Sequence, residues 1–286
     1  MKVTIKGWTL PGGMKGISLF GIGISLPFSI FKKKKVTKYK YGWRRDLPDV
    51  RDYQYKVTRG VDLPQEVDLR REEFHVVDQS TLGSCVGCGV ANIHHAMQVI
   101  QNKPVHFYPS RLFIYYNARV LLGTVNYDSG ATIRDGIKTI VKQGACKEEI
   151  WPYVISKYRC KPPSQCYENG LLNQAIVYES VAQDLYSLKY TLSQGFPIVG
   201  GISIYSSFES DDVARTGMVP MPTLSNESLL GGHCVSFFGF SDKKQCFIGM
   251  NSWGEKWGDR GWFYIPYKYI TNKKLAADFW VVKLVE

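Results

Sequence analysis

The stretch from Asp78 to Ile93, Asp-Gln-Ser-Thr-Leu-Gly-Ser-Cys-Val-Gly-Cys-Gly-Val-Ala-Asn-Ile, constrains the fold more than any other. A turn of small residues opens into an apolar run. Val86, Val90, Ile93, Met97 and Ile100 follow at steps of four, three, four and three, the spacing of one helix face. The pattern predicts a helix over 84–102 with Cys85 in its first turn. There the unpaired N–H groups and the positive end of the macrodipole favour an anion. A thiol so placed loses its proton more readily, and the thiolate is the nucleophile. Gly87 and Gly89 each cost about 1 kcal/mol relative to Ala in a helix. They mark places where another backbone or a substrate comes close.

The rest of the chain shows what surrounds that helix. At 286 residues it can bury a full core, as one large domain or two small ones. Residues 1–60 hold fourteen Lys or Arg against three Asp or Glu, which accounts for the whole net charge of +11. These sixty residues therefore read as a separate unit, a basic N-terminal extension. Such a segment could meet nucleic acid, an anionic membrane, or an acidic surface of its own protein. Nothing in it reads as a nucleic-acid fold, which argues against nucleic acid as a partner.

Within the extension, residues 17–31 form an apolar run ended by Lys32 to Lys35. Two glycines and a proline make it too short and too broken for a transmembrane helix. No small-residue cleavage site follows it, so a cleavable signal peptide is not expected. Two readings stay open: a weak, shallow contact of residues 17–35 with an anionic membrane, and an extended strand lying in a groove. Residues 41–53 alternate aromatic anchors with charges, which suits an extended segment pinned to a folded body.

Further on, Pro109 to Asn117 starts a second helix with Ser110 as N-cap, and Ile133 to Gly144 reads as a third. From about Ile176 the pattern turns to strands, with Pro197–Ile204 and His233–Phe240 rich in Ile, Val and Phe. One helical half and one mainly β half make an α+β protein with a cleft between them. Seven cysteines is an odd count. Cys160 and Cys166 could close a small loop; Cys88, Cys234 and Cys246 lie in apolar runs and read as buried thiols. His75, His94, His95 and His106 read as packing or surface histidines. Asn226-Glu227-Ser228 is a glycosylation sequon, informative only in a secretory setting.

Three motifs then occur in order. Gln79 and Cys85, six residues apart, resemble the active-site segment of the papain-like cysteine proteases, the cathepsin family. Leu230-Gly231-Gly232-His233 opening an apolar strand resembles the family's catalytic-histidine strand, 148 residues after Cys85. Asn251-Ser252-Trp253-Gly254, followed by Trp257-Gly258 and Gly261-Trp262, resembles its Asn-Ser-Trp-Gly signature. Leu63-Pro64 to Arg70 is similar to the opening of mature members, and Trp151-Pro152-Tyr153 to a Tyr-Pro-Tyr signature. Tyr127-Asp128-Ser129-Gly130 stands where the family has Cys-Asn-Gly-Gly. Leu82 and Tyr127 replace the two cysteines of a family disulfide, so folding there does not depend on that bridge.

The resemblance implies a two-lobed fold, with a catalytic domain over 61–286 divided into a helical lobe over about 61–170 and a β-barrel-like lobe over about 171–286. Residues 1–60 would be a prosegment restraining the cleft, or an extension that is never removed. Cys85 and His233 would form a thiolate–imidazolium pair, with Asn251 holding the imidazole and Trp253 shielding that bond. Gln79 and the Cys85 amide would meet the oxyanion. Ser129, Gly130, Gly232 and Trp253 would line the substrate. No metal or organic cofactor is needed. Gly231-Gly232 before His233 is similar to the cathepsin B branch. That branch's paired-histidine loop has no counterpart between His106 and His233, so mainly endopeptidase action on proteins or peptides is expected. The pattern is similar to bacterial and large-DNA-virus chains, which fits an acidic-vesicle, endolysosomal or virion setting. The competing classes are a non-catalytic peptide-binding relative and a protein tethered to membrane or nucleic acid through residues 1–60.

Overall fold

The structure is a computed structural model that describes residues 8–10, 14–16 and 39–285. It divides into two compact units, Met1–Val36 and Thr37–Glu286. In the first, β1 (Trp8–Leu10) pairs antiparallel with β2 (Met14–Gly16), Trp8 opposite Gly16. The apolar run 17–31 and its lysines lie outside the described residues, and with them the reading of a membrane contact. The division falls at 36/37, so residues 39–60 pack as part of the larger unit.

The larger unit is organised around α1 (Cys85–Ile100), nearly all of it buried. Its two glycines are there for close packing. A Cβ on Gly87 would stand 2.5 Å from the Arg111 carbonyl oxygen, and one on Gly89 2.7 Å from the Cys234 sulfur. The neighbours are thus the next helix and a strand of the sheet, not a substrate. That next helix, α2 (Arg111–Leu121), is capped by Ser110, whose hydroxyl accepts from the Phe113 amide at 3.1 Å. The third, α3 (Ile133–Lys142), is capped by Thr132. It stops near Gly144, whose left-handed φ of 73° lets its backbone lie against the Gly170 carbonyl.

After α4 (Ser164–Leu171) the chain enters an antiparallel sheet in the order β4 (Ala175–Ser180), β9 (Ala276–Val285), β5 (Ile198–Tyr205), β6 (Leu229–Ser241), β7 (Cys246–Met250) and β8 (Trp262–Pro266). The short β3 (Glu66–Asp68) pairs with the far end of β6, beyond the part β5 covers. Helix α5 (Leu185–Ser193) and the short α6 (Asp211–Thr216) and α7 (Tyr267–Ile270) complete the order. One apolar cluster joins α1, α2 and α3 to Val199, Cys234 and Trp280; a second fills the β half around Phe237, Phe263 and Trp257. This is the α+β, two-lobed arrangement expected, with β6 packed on α1.

All seven cysteines are free. Cys160 and Cys166 close no loop: Cys160 is exposed, while Cys166 is buried on α4 next to Cys146. Cys88, Cys234 and Cys246 are buried thiols.

Candidate active site

Cys85 opens α1 and His233 lies on β6, the strand laid against that helix. The amide of Cys234, next after His233, points at the Cys85 sulfur. The two halves therefore bring both residues to one place. His233 Nε2 meets Asn251 Oδ1 at 2.7 Å, and the same oxygen accepts the Ser252 amide at 2.8 Å. An amide oxygen only accepts, so the imidazole proton sits on Nε2 and Nδ1 carries the lone pair. Nδ1 is buried and has no hydrogen-bond partner among the described residues. Trp253 stacks on the imidazole with centroids 5.0 Å apart.

Gln79 is fully buried, and Ser252 Oγ donates to its Oε1 at 2.7 Å, which turns its NH₂ outward. That NH₂ donates to the Leu82 carbonyl at 2.9 Å and to the Lys40 carbonyl at 3.0 Å. The donor expected to meet an oxyanion is thus already meeting a carbonyl, and the carbonyl belongs to the chain's own N-terminal extension.

Residues 39–55, the strap, run across this site. Tyr39 stacks on Trp253 at 3.8 Å and within 3° of parallel. Lys40 pairs with Asp128 at 2.6 Å. Tyr41 bonds Glu209 and sets its ring edge on His233 at 6.1 Å. The Gly42 amide points at the Cys85 sulfur. A Cβ on Gly42 would stand 1.8 Å from the Gly83 carbonyl oxygen, so only glycine fits there. The Ala131 amide donates to the Gly42 carbonyl at 2.8 Å, and the Arg44 amide to the Ala131 carbonyl at 3.0 Å, a parallel pairing. The Trp43 amide donates to the Gly232 carbonyl at 3.0 Å. Further along, Tyr53 and Tyr55 pair with Ser180 at the end of β4.

Gly130, Gly232 and Trp253, expected to line the substrate, all touch the strap: a Cβ on Gly130 would stand 2.1 Å from the Gly42 carbonyl oxygen. Ser129 does not; its hydroxyl turns to Thr124 and to the Gly130 carbonyl. Sequence reasoning missed Ala131, which supplies the ladder, as well as Ser252, Asp128, Gly201 and Asp278. Backbone partners carry no side-chain signal, and the others become neighbours only through the fold. Ser252 and Asp128 were in plain view, inside the Asn-Ser-Trp-Gly and Tyr-Asp-Ser-Gly runs.

Under the strap Cys85 is wholly buried. Burial pushes its thiol up to about 12, against the amides of Cys234, Gly42 and Val86 that favour the thiolate. Burial pushes His233 down to about 4, against its Asn251 bond. In the covered site burial favours the neutral form of both groups. His94 and His95 are structural, as read. His94 is bonded to Gln98, and His95 spans the carbonyls of Glu73 and Phe107.

A thiol at the head of a buried helix, beside an imidazole oriented by a buried amide in a cleft between two lobes, defines the class of cysteine peptidases. Residues 63–279 match the family model described as papain family cysteine protease. The chain belongs to that family. It is 39% identical over 263 residues to an uncharacterized peptidase C1-like protein of Acanthamoeba polyphaga mimivirus, a match covering 89% of this chain and 82% of the relative. Its fold is similar to that of xylellain, a cysteine protease from Xylella fastidiosa, with a TM-score of 0.83 and 40% identity over 90% of this chain and 100% of that one. ProCathepsin B S9 from Trypanosoma congolense, 14% identical with a TM-score of 0.68 over 86% of each chain, shares the fold.

Proposed function

We propose that the chain is a cysteine endopeptidase made as a zymogen, with residues 39–60 as the restraint. The observation that supports this reading best is the Lys40 carbonyl seated on the Gln79 amide donor, over a nucleophile with no exposure. Once the strap leaves, water and the approaching imidazole lower the cost of charge. The Cys85 proton passes to His233 Nδ1, since Nε2 is committed to Asn251. The thiolate attacks a peptide carbonyl carbon. The developing oxyanion takes the place of the Lys40 oxygen on Gln79 and meets the Cys85 amide, worth roughly 2.7–4 kcal/mol per donor in comparable sites. His233 returns its proton to the leaving amine, an acyl-enzyme remains, and water then releases the acyl group.

A chain beginning at Val61 tests the restraint. It should hydrolyse a fluorogenic peptide at least about tenfold faster than the full chain, and iodoacetamide should alkylate its Cys85 correspondingly faster. A folded Val61 chain no more active than the full one would end the zymogen reading. Release of C-terminal dipeptides at a rate rivaling internal cleavage would end the endopeptidase reading.

A further inference from the structure

We infer that Asp128 is a positioning residue for the oxyanion site: its carboxylate fixes the Leu82–Gly83 peptide, and that peptide holds the Gln79 side-chain amide where the oxyanion develops. This rests on the proteolytic reading and adds to the same cleft a residue that acts through Gln79.

One peptide group carries the connection. The Gly83 amide donates to both oxygens of Asp128, at 3.2 and 3.0 Å. The carbonyl of the same peptide, on Leu82, accepts from Gln79 Nε2 at 2.9 Å. A trans peptide is planar, with its N–H and C=O on opposite edges. Fixing the amide on Asp128 therefore fixes where the carbonyl points. A carboxylate on the N–H also polarises the peptide and strengthens its oxygen as an acceptor. With one hydrogen of the Gln79 NH₂ on Leu82, the other is aimed at the position the Lys40 oxygen now takes. The Ser84 amide shares the Leu82 oxygen at 2.8 Å, so the turn closes on the residue before Cys85.

The carboxylate is itself held by a core helix. The Tyr115 hydroxyl donates to Asp128 Oδ1 and accepts the Gly130 amide at 3.1 Å. Tyr115 is wholly buried on α2. One turn on, the equally buried Arg119 donates to the carbonyls of Val125 at 3.0 Å and Tyr127 at 3.1 Å, and its guanidinium lies 4.1 Å over the Tyr115 ring. Residues 125–130 are thus pinned to α2, and Asp128 carries that rigidity across to the turn before the nucleophile. Its remaining partner, Lys40, departs with the strap, while Gly83 and Tyr115 belong to the body. Hydrogen bonds to an ionised group are the stronger ones, so this hold outlasts the strap. A mere staple between two loops could fall on any amide of the turn. This one falls on the peptide that Gln79 uses.

The test uses the full chain carrying Lys40→Ala, which takes the strap's charge off Asp128 so that a change there reads the turn. On that background Asp128→Ala should lower kcat for a fluorogenic peptide about tenfold or more and leave KM within about threefold, because the oxyanion exists only in the transition state. Asp128→Asn keeps one acceptor oxygen; it should fall between, and it serves instead should the alanine chain fail to fold. Where Gln79→Ala is already present, Asp128→Ala should cost less than about threefold, since the group it positions is gone. A second readout needs no turnover. In amide NMR spectra of the same chains, Asp128→Ala should shift the Gln79 side-chain pair and speed its hydrogen exchange at least about tenfold. An unchanged kcat in an active chain, a loss undiminished without Gln79, or a Gln79 pair that neither shifts nor exchanges faster overturns the proposal. A Gln79 pair that moves in a chain that cleaves no peptide supports the positioning role and counts against the proteolytic reading instead.

Discussion

His94 and His233 begin alike. Both are wholly buried, and burial pushes both down to about 4. Each has one ring nitrogen bound by a side-chain amide, from Gln98 and Asn251 respectively. They differ in what covers them. His94 sits inside α1 with the Asn173 carbonyl near it, and its cover is the core. His233 is covered by Tyr41 and Trp253, and Tyr41 belongs to an extension held by hydrogen bonds, ion pairs and ring contacts. A core cannot be withdrawn without unfolding, whereas a strap can. A depressed histidine is therefore structural or poised for chemistry according to what buries it, not how deeply it is buried.

That contrast can be broken or sharpened. The largest effect should come from the nucleophile. Cys85→Ala is expected to reduce peptide hydrolysis at least about a thousandfold, and His94→Gln to leave kcat/KM within about threefold while lowering Tm. Hydrolysis that persists without the sulfur would break the comparison outright. Next comes titration. In the chain beginning at Val61, His233 should titrate well above its covered value of about 4, and Cys85 well below about 12, while His94 stays where it is. Histidine proton shifts and the pH profile of Cys85 alkylation report these separately. Movement of His94 together with His233 would show that the core, and not the strap, sets both.

The smallest effect concerns how the strap is held. Burial, and then the Asp278 carboxylate, push Asp46 up to about 6. A raised value means that docking takes up a proton. The Asp46 contribution is full below the ordinary carboxylate value of ~3.9 and is lost as pH rises through about 6. Asp46→Asn should remove that dependence. The ratio of Cys85 alkylation rates, full chain over Asp46→Asn, should then rise by up to about fiftyfold from pH 4 to pH 7. A flat ratio would mean that Asp46 keeps its proton preference after release. By this group alone, acid tightens the strap. Its other anchors include the ion pairs Lys40–Asp128 and Arg134–Asp52.

Much of the site was legible in one dimension because its parts are local. The periodicity after Ser84 marks the helix, the Ser110 cap marks the next, and the Gly-Gly-His and Asn-Ser-Trp-Gly runs each keep several roles within four residues. The two glycines of α1 were legible as close approaches, though not what approaches them. The ladder partner Ala131 was not legible, because backbone pairing leaves no trace in residue type. Nor was Asp278, an ordinary acidic residue near the end of the chain until the fold sets it beside Trp43, 235 positions away.

From the sequence alone come the candidate nucleophile, its candidate histidine and amide partners, the α+β class, and the separate charge of the first sixty residues. All of these are properties of residue type and short-range spacing. Only the tertiary structure decided that residues 39–46 lie in the cleft and that burial beneath them disfavours charge on the thiol and imidazole. Both follow from desolvation, which depends on which distant segment displaces water, and no local pattern carries that information.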